Sequence, residues 1–206
     1  MFKYKICISG AAEGYNQWAA DIARQVGEEI AKKGHVLVTG ATHGIPHLAA
    51  LSAKKAGGTS IGISPAASEA EHLGKYLLPG DQAFDYVIYT KAGYTGRNLL
   101  MVRSCDATII INGRIGTLNE FTCAFEENEI VGVMDGTGGI ASMIRQILTV
   151  AGKGTRKVFF ENDPKKMVDE IIKRIKENKK SDKQFYLEYK NIDKDKKRQT
   201  DKPPKE

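Results

Sequence analysis

A chain of 206 residues, 41 % hydrophobic and 27 % charged, is long enough to bury a substantial core and reads as one domain carrying a tail. No apolar run approaches the ~20 residues that cross a bilayer, and the opening MFKYKICISG is too short in its apolar part for a secretory signal, so a cytoplasmic protein without membrane contact is expected. The net charge of +6 is uneven: residues 179–206 hold 10 Lys or Arg and 6 Asp or Glu, which argues against a nucleic-acid-binding body.

Lys3 to Ser9 alternates and stops at Gly10, the pattern of a first strand closed by the turn Gly10 to Gly14. That turn lacks GxGxxG, so dinucleotide-dependent dehydrogenation is not expected. Cys7, Cys105 and Cys123 are odd in number and have no CxxC spacing, which excludes a disulfide framework or zinc ribbon and leaves reduced core residues. Asn16 stands where a helix to Lys33 needs its N-cap, with Ala19, Ile22, Val26 and Ile30 on one face.

Val36 to Thr39 is a second strand. A glycine turn, Gly40, Ala41, Thr42, His43, Gly44, Ile45, leads into a helix that Pro46 opens and that runs to about Ala56. His43 and His47 are four apart, but Pro46 intervenes and no cysteine or carboxylate completes a ligand set, so no metal is expected. Thr59 to Ile63 is a third strand. Residues 64–83 read as a long loop or short helix, a candidate cover for a site.

Phe84 to Tyr89 is a fourth strand, and Gly93 to Gly96 a turn ahead of Arg97 and Asn98. In a cleft Arg97 can hold a phosphate bidentately; a lone arginine is more often a surface charge. Asp106 to Ile111 is a buried, β-branched strand that stops at Asn112-Gly113. Gly113 and Gly116 let the turn's peptide N–H groups converge, and a helix opening at Thr117 adds the positive end of its dipole, so an anion is favoured there. A second reading competes: Thr117 and Glu120 fit the S/T-x-x-E capping box, which only satisfies the helix's own N–H groups.

Ile130 to Met134 is a further strand, followed by the turn Asp135 to Gly139, a helix with Ile140, Met143, Ile144, Ile147 and Leu148, the strand Lys157 to Phe160, and a helix from Pro164 to about Lys176. The alternation implies an α/β fold: a three-layer, Rossmann-like, doubly wound and mostly parallel sheet of about seven strands over residues 1–178, with 179–206 a charged tail. Asp193 to Glu206 has the composition of a segment that does not order, and Phe185, Tyr186, Leu187 and Tyr189 form a candidate docking segment. Gly10, Gly40, Gly96 and Gly113 all fall at the strands' carboxyl edge, where such folds bind ligands.

The stretch from 98 to 121, NLLMVRSCDATIIINGRIGTLNEF, resembles the LOG family, within the SLOG group of Rossmann-like nucleotide binders. The family's PGGxGTxxE motif falls on Asn112 to Glu120. Gly113, Gly116, Thr117 and Glu120 match, whereas Asn112 replaces proline and Arg114 replaces the second glycine. Its MxxRK motif falls on Met101 to Arg103, with a shortened spacing, and Ser104 stands in the lysine's place. LOG proteins are phosphoribohydrolases that free the base from nucleoside 5′-monophosphates. The resemblance therefore implies a phosphorylated nucleoside as ligand, with Arg103 and Glu120 catalytic. Gly113, Arg114, Ile115, Gly116 and Thr117 would hold the 5′-phosphate, and Gly10, Gly40, Ala41, Gly44, Arg97 and Asn98 would complete the binding surface. Arg97-Asn98 also resembles an RN pair of SLOG relatives that bind nucleotides or the molybdenum cofactor. A homodimer with no resident cofactor is implied as well. Hydrolysis is expected ahead of the alternative, a non-catalytic nucleotide sensor or molybdenum-cofactor carrier. A third possibility, a nucleic-acid binder related to the DNA-processing branch of Rossmann-like folds, rests mainly on charge.

Overall fold

Short β-branched and apolar runs, too short for helices, supply seven strands among the described residues: β1 (Lys5–Gly10), β2 (Val36–Thr39), β3 (Thr59–Ser64), β4 (Tyr86–Tyr89), β5 (Ala107–Ile111), β6 (Val131–Met134) and β7 (Val158–Glu161). Between them run α1 (Gln17–Lys32), α2 (Ile45–Lys55), α3 (Gly93–Arg103), α4 (Ile115–Glu126) and α5 (Ile144–Ala151), and a last helix, α6, occupies 164–181. This computed structural model describes residues 3–181. The Phe185 to Tyr189 segment and Asp193 to Glu206 lie outside the described residues.

All strand pairs are parallel, in the order β4-β3-β2-β1-β5-β6-β7. The chain winds outward from β1 to β4, then α3 carries it back so that β5 lies beside β1, with Gly10 opposite Ile111 at the carboxyl edge. At that reversal the two loops leaving β1 and β5 diverge to opposite faces and open a crevice. Because a parallel sheet is flanked by helices, its strands are apolar on both faces: Ile6 and Ile8 of β1 pack with α1, α2 and α6, whereas Cys7 packs with Val38, Ile63, Met101 and Cys105 under α3.

Local signals explain most boundaries. Asn16 caps α1, its Oδ1 accepting from the Ala19 N–H at 2.8 Å. β4 starts at Tyr86 rather than Phe84 because Asp85 turns its carboxylate onto the Ser60 N–H at 2.8 Å and pairs with Lys54, ending the ladder. Residues 65–85 hold a single π-helical turn (Glu71–Lys75) and are pinned from inside. The Ser64 hydroxyl donates to His72 Nδ1 and His72 Nε2 donates to the Pro79 carbonyl, both at 2.9 Å. From outside, His43 Nε2 donates to the Leu77 carbonyl at 2.9 Å and His47 meets the Asp81 carboxylate at 2.8 Å. The two histidines thus hold the loop. The helix expected from Ile140 begins instead as a 3-10 turn, Gly139–Met143, because the Ile140 and Ala141 N–H groups bond back to the Gly113 and Asn112 carbonyls. Among the described residues no helix is long and apolar enough to cross a membrane. Cys7 and Cys105 are buried and Cys123 half-buried, all as free thiols.

α1 and α2 approach until their backbones nearly touch. A Cβ on Gly27 would fall well inside contact distance of the Ala49 carbonyl, which as backbone cannot swing aside. Gly27→Ala, worth about 1 kcal/mol in favour of an isolated helix, is expected to destabilise the protein by roughly 2 kcal/mol through overpacking. Urea unfolding measures it; a stabilised variant would refute the close crossing.

Candidate functional site

The crevice between the β1 and β5 loops is a cleft of about 600 Å³. Gly10, Ala11, Ala12 and Glu13 of the β1–α1 loop form one wall, with Thr42 beside them. Arg114, Ile115, Gly116, Thr117, Asn119 and Glu120 form the other, and Tyr94, Thr95, Arg97 and Asn98 of α3 close the end. Gly10 belongs there for steric reasons, since a Cβ on it would collide with Ile45 and with the Ile111 carbonyl of the neighbouring strand.

Arg97 forms the charged floor. It is 3 % exposed, its Nη1 lies 3.6 Å from Glu120 Oε1 and 3.6 Å from Met101 Sδ, and its Nε has no hydrogen-bond partner among the described residues. Gly40 makes room for it, because a Cβ at that position would occupy the place of the guanidinium. Glu120 is 7 % exposed and its Oε2 accepts a hydrogen bond from the Ser9 hydroxyl. Burial pushes the Glu120 carboxyl above its ordinary range, while the Arg97 cation and the Ser9 hydroxyl pull it back only in part. Asn98, 4 % exposed, donates through Nδ2 to Asn119 Oδ1 at 2.8 Å, and its own Oδ1 lacks a partner among the described residues.

The turn after β5 differs from the expected cap. α4 begins at Ile115, with Arg114 as N-cap and no side-chain cap among the described residues, so Thr117 already lies within the first turn. The capping-box reading of Thr117 and Glu120 is therefore overturned: the Glu120 carboxylate points to Ser9 and Arg97 instead. Asn112 takes φ +57°, a left-handed conformation that asparagine tolerates and proline cannot adopt. Its N–H donates to Thr137 Oγ1 and its Nδ2 to the Thr137 carbonyl, both at 2.8 Å, while its Oδ1 accepts from the Gly113 N–H at 2.7 Å. Arg114 stands where a glycine was expected at φ −127°, which any residue adopts, and its side chain crosses to Glu13. A Cβ at Gly116 would meet nothing within 4 Å, so the space over the helix start is open to a ligand.

Not every residue singled out from the sequence reaches the cleft. Arg103 is the last residue of α3, six residues beyond Arg97; it is exposed and lies 3.4 Å from Glu127. The arginine beside Glu120 is Arg97, not Arg103. Gly96 is helical rather than part of a turn, since α3 begins at Gly93. Gly40, Ala41 and Gly44 contribute backbone rather than cleft lining: Gly40 leaves room for Arg97, Gly44 packs against the Ala11 and Ala12 carbonyls, and the N–H of Ala41, a residue at φ +53°, donates to Thr39 Oγ1 at 3.0 Å. Residues 64–83 give no lining residue to the cleft: their hydrogen bonds hold them over α2 and β3, and they reach its edge only where Tyr76 meets Tyr94 edge-on, 5.4 Å between ring centroids. Ser9, Glu13, Tyr94 and Asn119 join the site with no motif in the sequence to mark them. Ser9 was within reach, since alternation with Cys7 puts it on the α3 face one residue before Gly10.

A parallel sheet whose strand order reverses beside a glycine-lined cleft, with a buried cation at its floor, defines a Rossmann-like domain of the switch-point kind. The model of the SLOG cluster4 family matches residues 3–168, and the chain belongs to that family. It is 38 % identical over 110 residues to an uncharacterized protein of Archaeoglobus fulgidus, a match covering 53 % of this chain and 66 % of that one, a little under two thirds. Among solved structures, it is similar to the molybdenum cofactor binding protein of Rippkaea orientalis at TM-score 0.70 and 30 % identity, covering 85 % of this chain and 98 % of that one. It is also similar to the molybdenum cofactor carrier protein of Chlamydomonas reinhardtii at TM-score 0.66 and 26 % identity, covering 84 % and 98 %.

The raised Glu120 carboxyl has a stability consequence. Its folded-state pKa exceeds the unfolded one, so the contribution is fully present below the unfolded value and is lost as pH rises through the folded value. Glu120→Gln mimics the protonated group and removes this dependence. The melting temperature of the wild type relative to the variant should fall as pH climbs through and above the ordinary carboxylate range; parallel curves would contradict the burial argument.

Proposed function

We propose that this protein binds a phosphorylated small molecule with a flat ring system, of the nucleotide or molybdopterin class, in the β1/β5 cleft, and acts as a binding or carrier protein. One observation carries the reading: Arg97 is buried at the cleft floor, its Nε has no partner among the described residues, and its approach to Glu120 is only 3.6 Å. A desolvated, incompletely neutralised guanidinium favours an anion beside it. The uncapped start of α4 and the open space at Gly116 supply backbone donors for the same phosphoryl group. Tyr94, 49 % exposed, and Ile115, 79 % exposed, offer apolar surface at the rim for a ring. The likeness to molybdenum cofactor binding and carrier proteins supports a binding role, with the ligand as cargo.

Glu120 favours a second reading, the LOG-type hydrolysis that Gly113, Gly116, Thr117 and Glu120 suggest by their motif positions. A carboxylate beside the anomeric carbon would stabilise an oxocarbenium-like sugar. Binding stands ahead of it because Glu120 is already engaged by Arg97 and Ser9 and because Arg103 lies elsewhere. The homodimer implied by the LOG resemblance is part of the proposal. It is supported by the α3 face of edge strand β4, where Tyr86 and Ile88, in register with Ile61 and Ile63, are 66 % and 51 % exposed.

Calorimetric titration with AMP, ADP and a pterin monophosphate tests the binding role. Wild type should bind at least one of them, and Arg97→Lys, which keeps the charge but loses the fork, should bind it about tenfold more weakly. Absence of binding by all three would sink the proposal. Chromatography of the AMP mixture decides the second reading: free base that Glu120→Gln no longer releases would move hydrolysis ahead.

A further inference from the structure

Arg97 is not the only cation of the cleft. Among the described residues its lining holds two, at different depths: Arg97 on the floor, 3 % exposed, and Arg114 on the rim, its side chain 59 % exposed. Arg114 is the N-cap of α4, so its backbone sits at the anion-favouring turn while its side chain spans the cleft to Glu13 on the opposite wall. The Glu13 side chain is 76 % exposed.

We propose that the cleft is built for a diphosphate group. Arg97 and the α4 amides take the inner phosphoryl, and Arg114 clamps the outer one in place of Glu13. This rests on the reading that an anion occupies the Arg97 floor.

A single phosphoryl at the floor needs nothing from the rim, and would leave the Arg114–Glu13 pair as it stands. A second phosphoryl at the rim meets both members of that pair. The exchange favours the ligand, because an exposed carboxylate–guanidinium pair contributes little, whereas a guanidinium holds a phosphoryl bidentately with charge-assisted hydrogen bonds. Glu13, on a loop and largely in water, is released without being buried. The pair also sets selectivity. An uncharged extension cannot displace Glu13, and without Arg114 the remaining carboxylate would repel any outer anion.

Isothermal titration of the full chain in metal-free buffer, with inorganic phosphate and pyrophosphate as probes, tests this on wild type, Arg114→Gln and the Arg114→Gln/Glu13→Gln double variant. Wild type should prefer pyrophosphate to phosphate by at least about tenfold, the size of one charge-assisted hydrogen bond. In Arg114→Gln the preference should collapse to within about threefold. The double variant should recover part of the pyrophosphate affinity, since the repelling carboxylate is gone. A preference that survives unchanged in Arg114→Gln would overturn the diphosphate assignment and leave the floor site standing. Binding of neither anion by wild type at millimolar concentration would overturn both.

Discussion

A guanidinium taken out of water must be surrounded by acceptors or it costs several kcal/mol, and Arg97 is surrounded incompletely. Much of the local structure answers to that charge. Gly40 has no side chain because the guanidinium occupies its place. Glu120 stays inside the first half of α4, rather than facing solvent, as the counter-charge, and Ser9 completes the carboxylate's hydrogen bonding from β1. One strand and two helices thus contribute to one polar cluster inside an otherwise apolar layer, and Gly40 at the end of β2 makes room for it. The cluster is under-satisfied, and the fold tolerates it because the surrounding sheet buries so many aliphatic side chains. Such concentration of unmet polarity in one cleft is expected where a ligand completes the site.

The architecture was legible in sequence because its signals are redundant. The strand β2 coincides with Val36–Thr39 as read from β-branching alone, and α1 follows from Asn16 and a clean apolar stripe. The parallel sheet follows from strand–helix alternation; the order of its strands, with the reversal between β1 and β5, does not. What misled were features decided by tertiary partners. The capping box of Thr117 and Glu120 is a local pattern, and it lost to a buried cation that α3 brings from elsewhere in the chain. Arg103 matched a motif by spacing, but the helical repeat places it a turn and a half beyond Arg97, at the far end of α3. Nothing local distinguishes a lone surface arginine from a buried one; only Gly40, facing it across the sheet edge, betrays Arg97.

Asn112 shows how a departure from a motif becomes intelligible. A proline there would need a negative φ and would have no N–H for Thr137. The asparagine is part of a different lock, in which the turn 135–139 and the following 3-10 turn bond to both its side chain and its backbone. The turn after β5 is therefore braced from the loop after β6 rather than by proline stiffness. Arg114 is free to reach across the cleft because the brace on Asn112 lies two residues before it.

The close crossing of α1 and α2 reaches further than core packing. Gly27 meets Ala49 backbone to backbone, Gly44 rests on the Ala11 and Ala12 carbonyls, and the Ile45 N–H donates to the Ala11 carbonyl at 2.9 Å. These contacts tie the β1–α1 and β2–α2 loops into one wall, and the Asn112 hydrogen bonds tie the opposite wall to the turn 135–139. For a ligand of the proposed kind, capture would then need no loop closure, and the ordering cost would fall on the rim side chains, at about 0.5–1.5 kcal/mol each. Association should follow a single kinetic phase, with a rate set by encounter and by the positive floor, and residence time should be governed by how quickly the rim side chains let go.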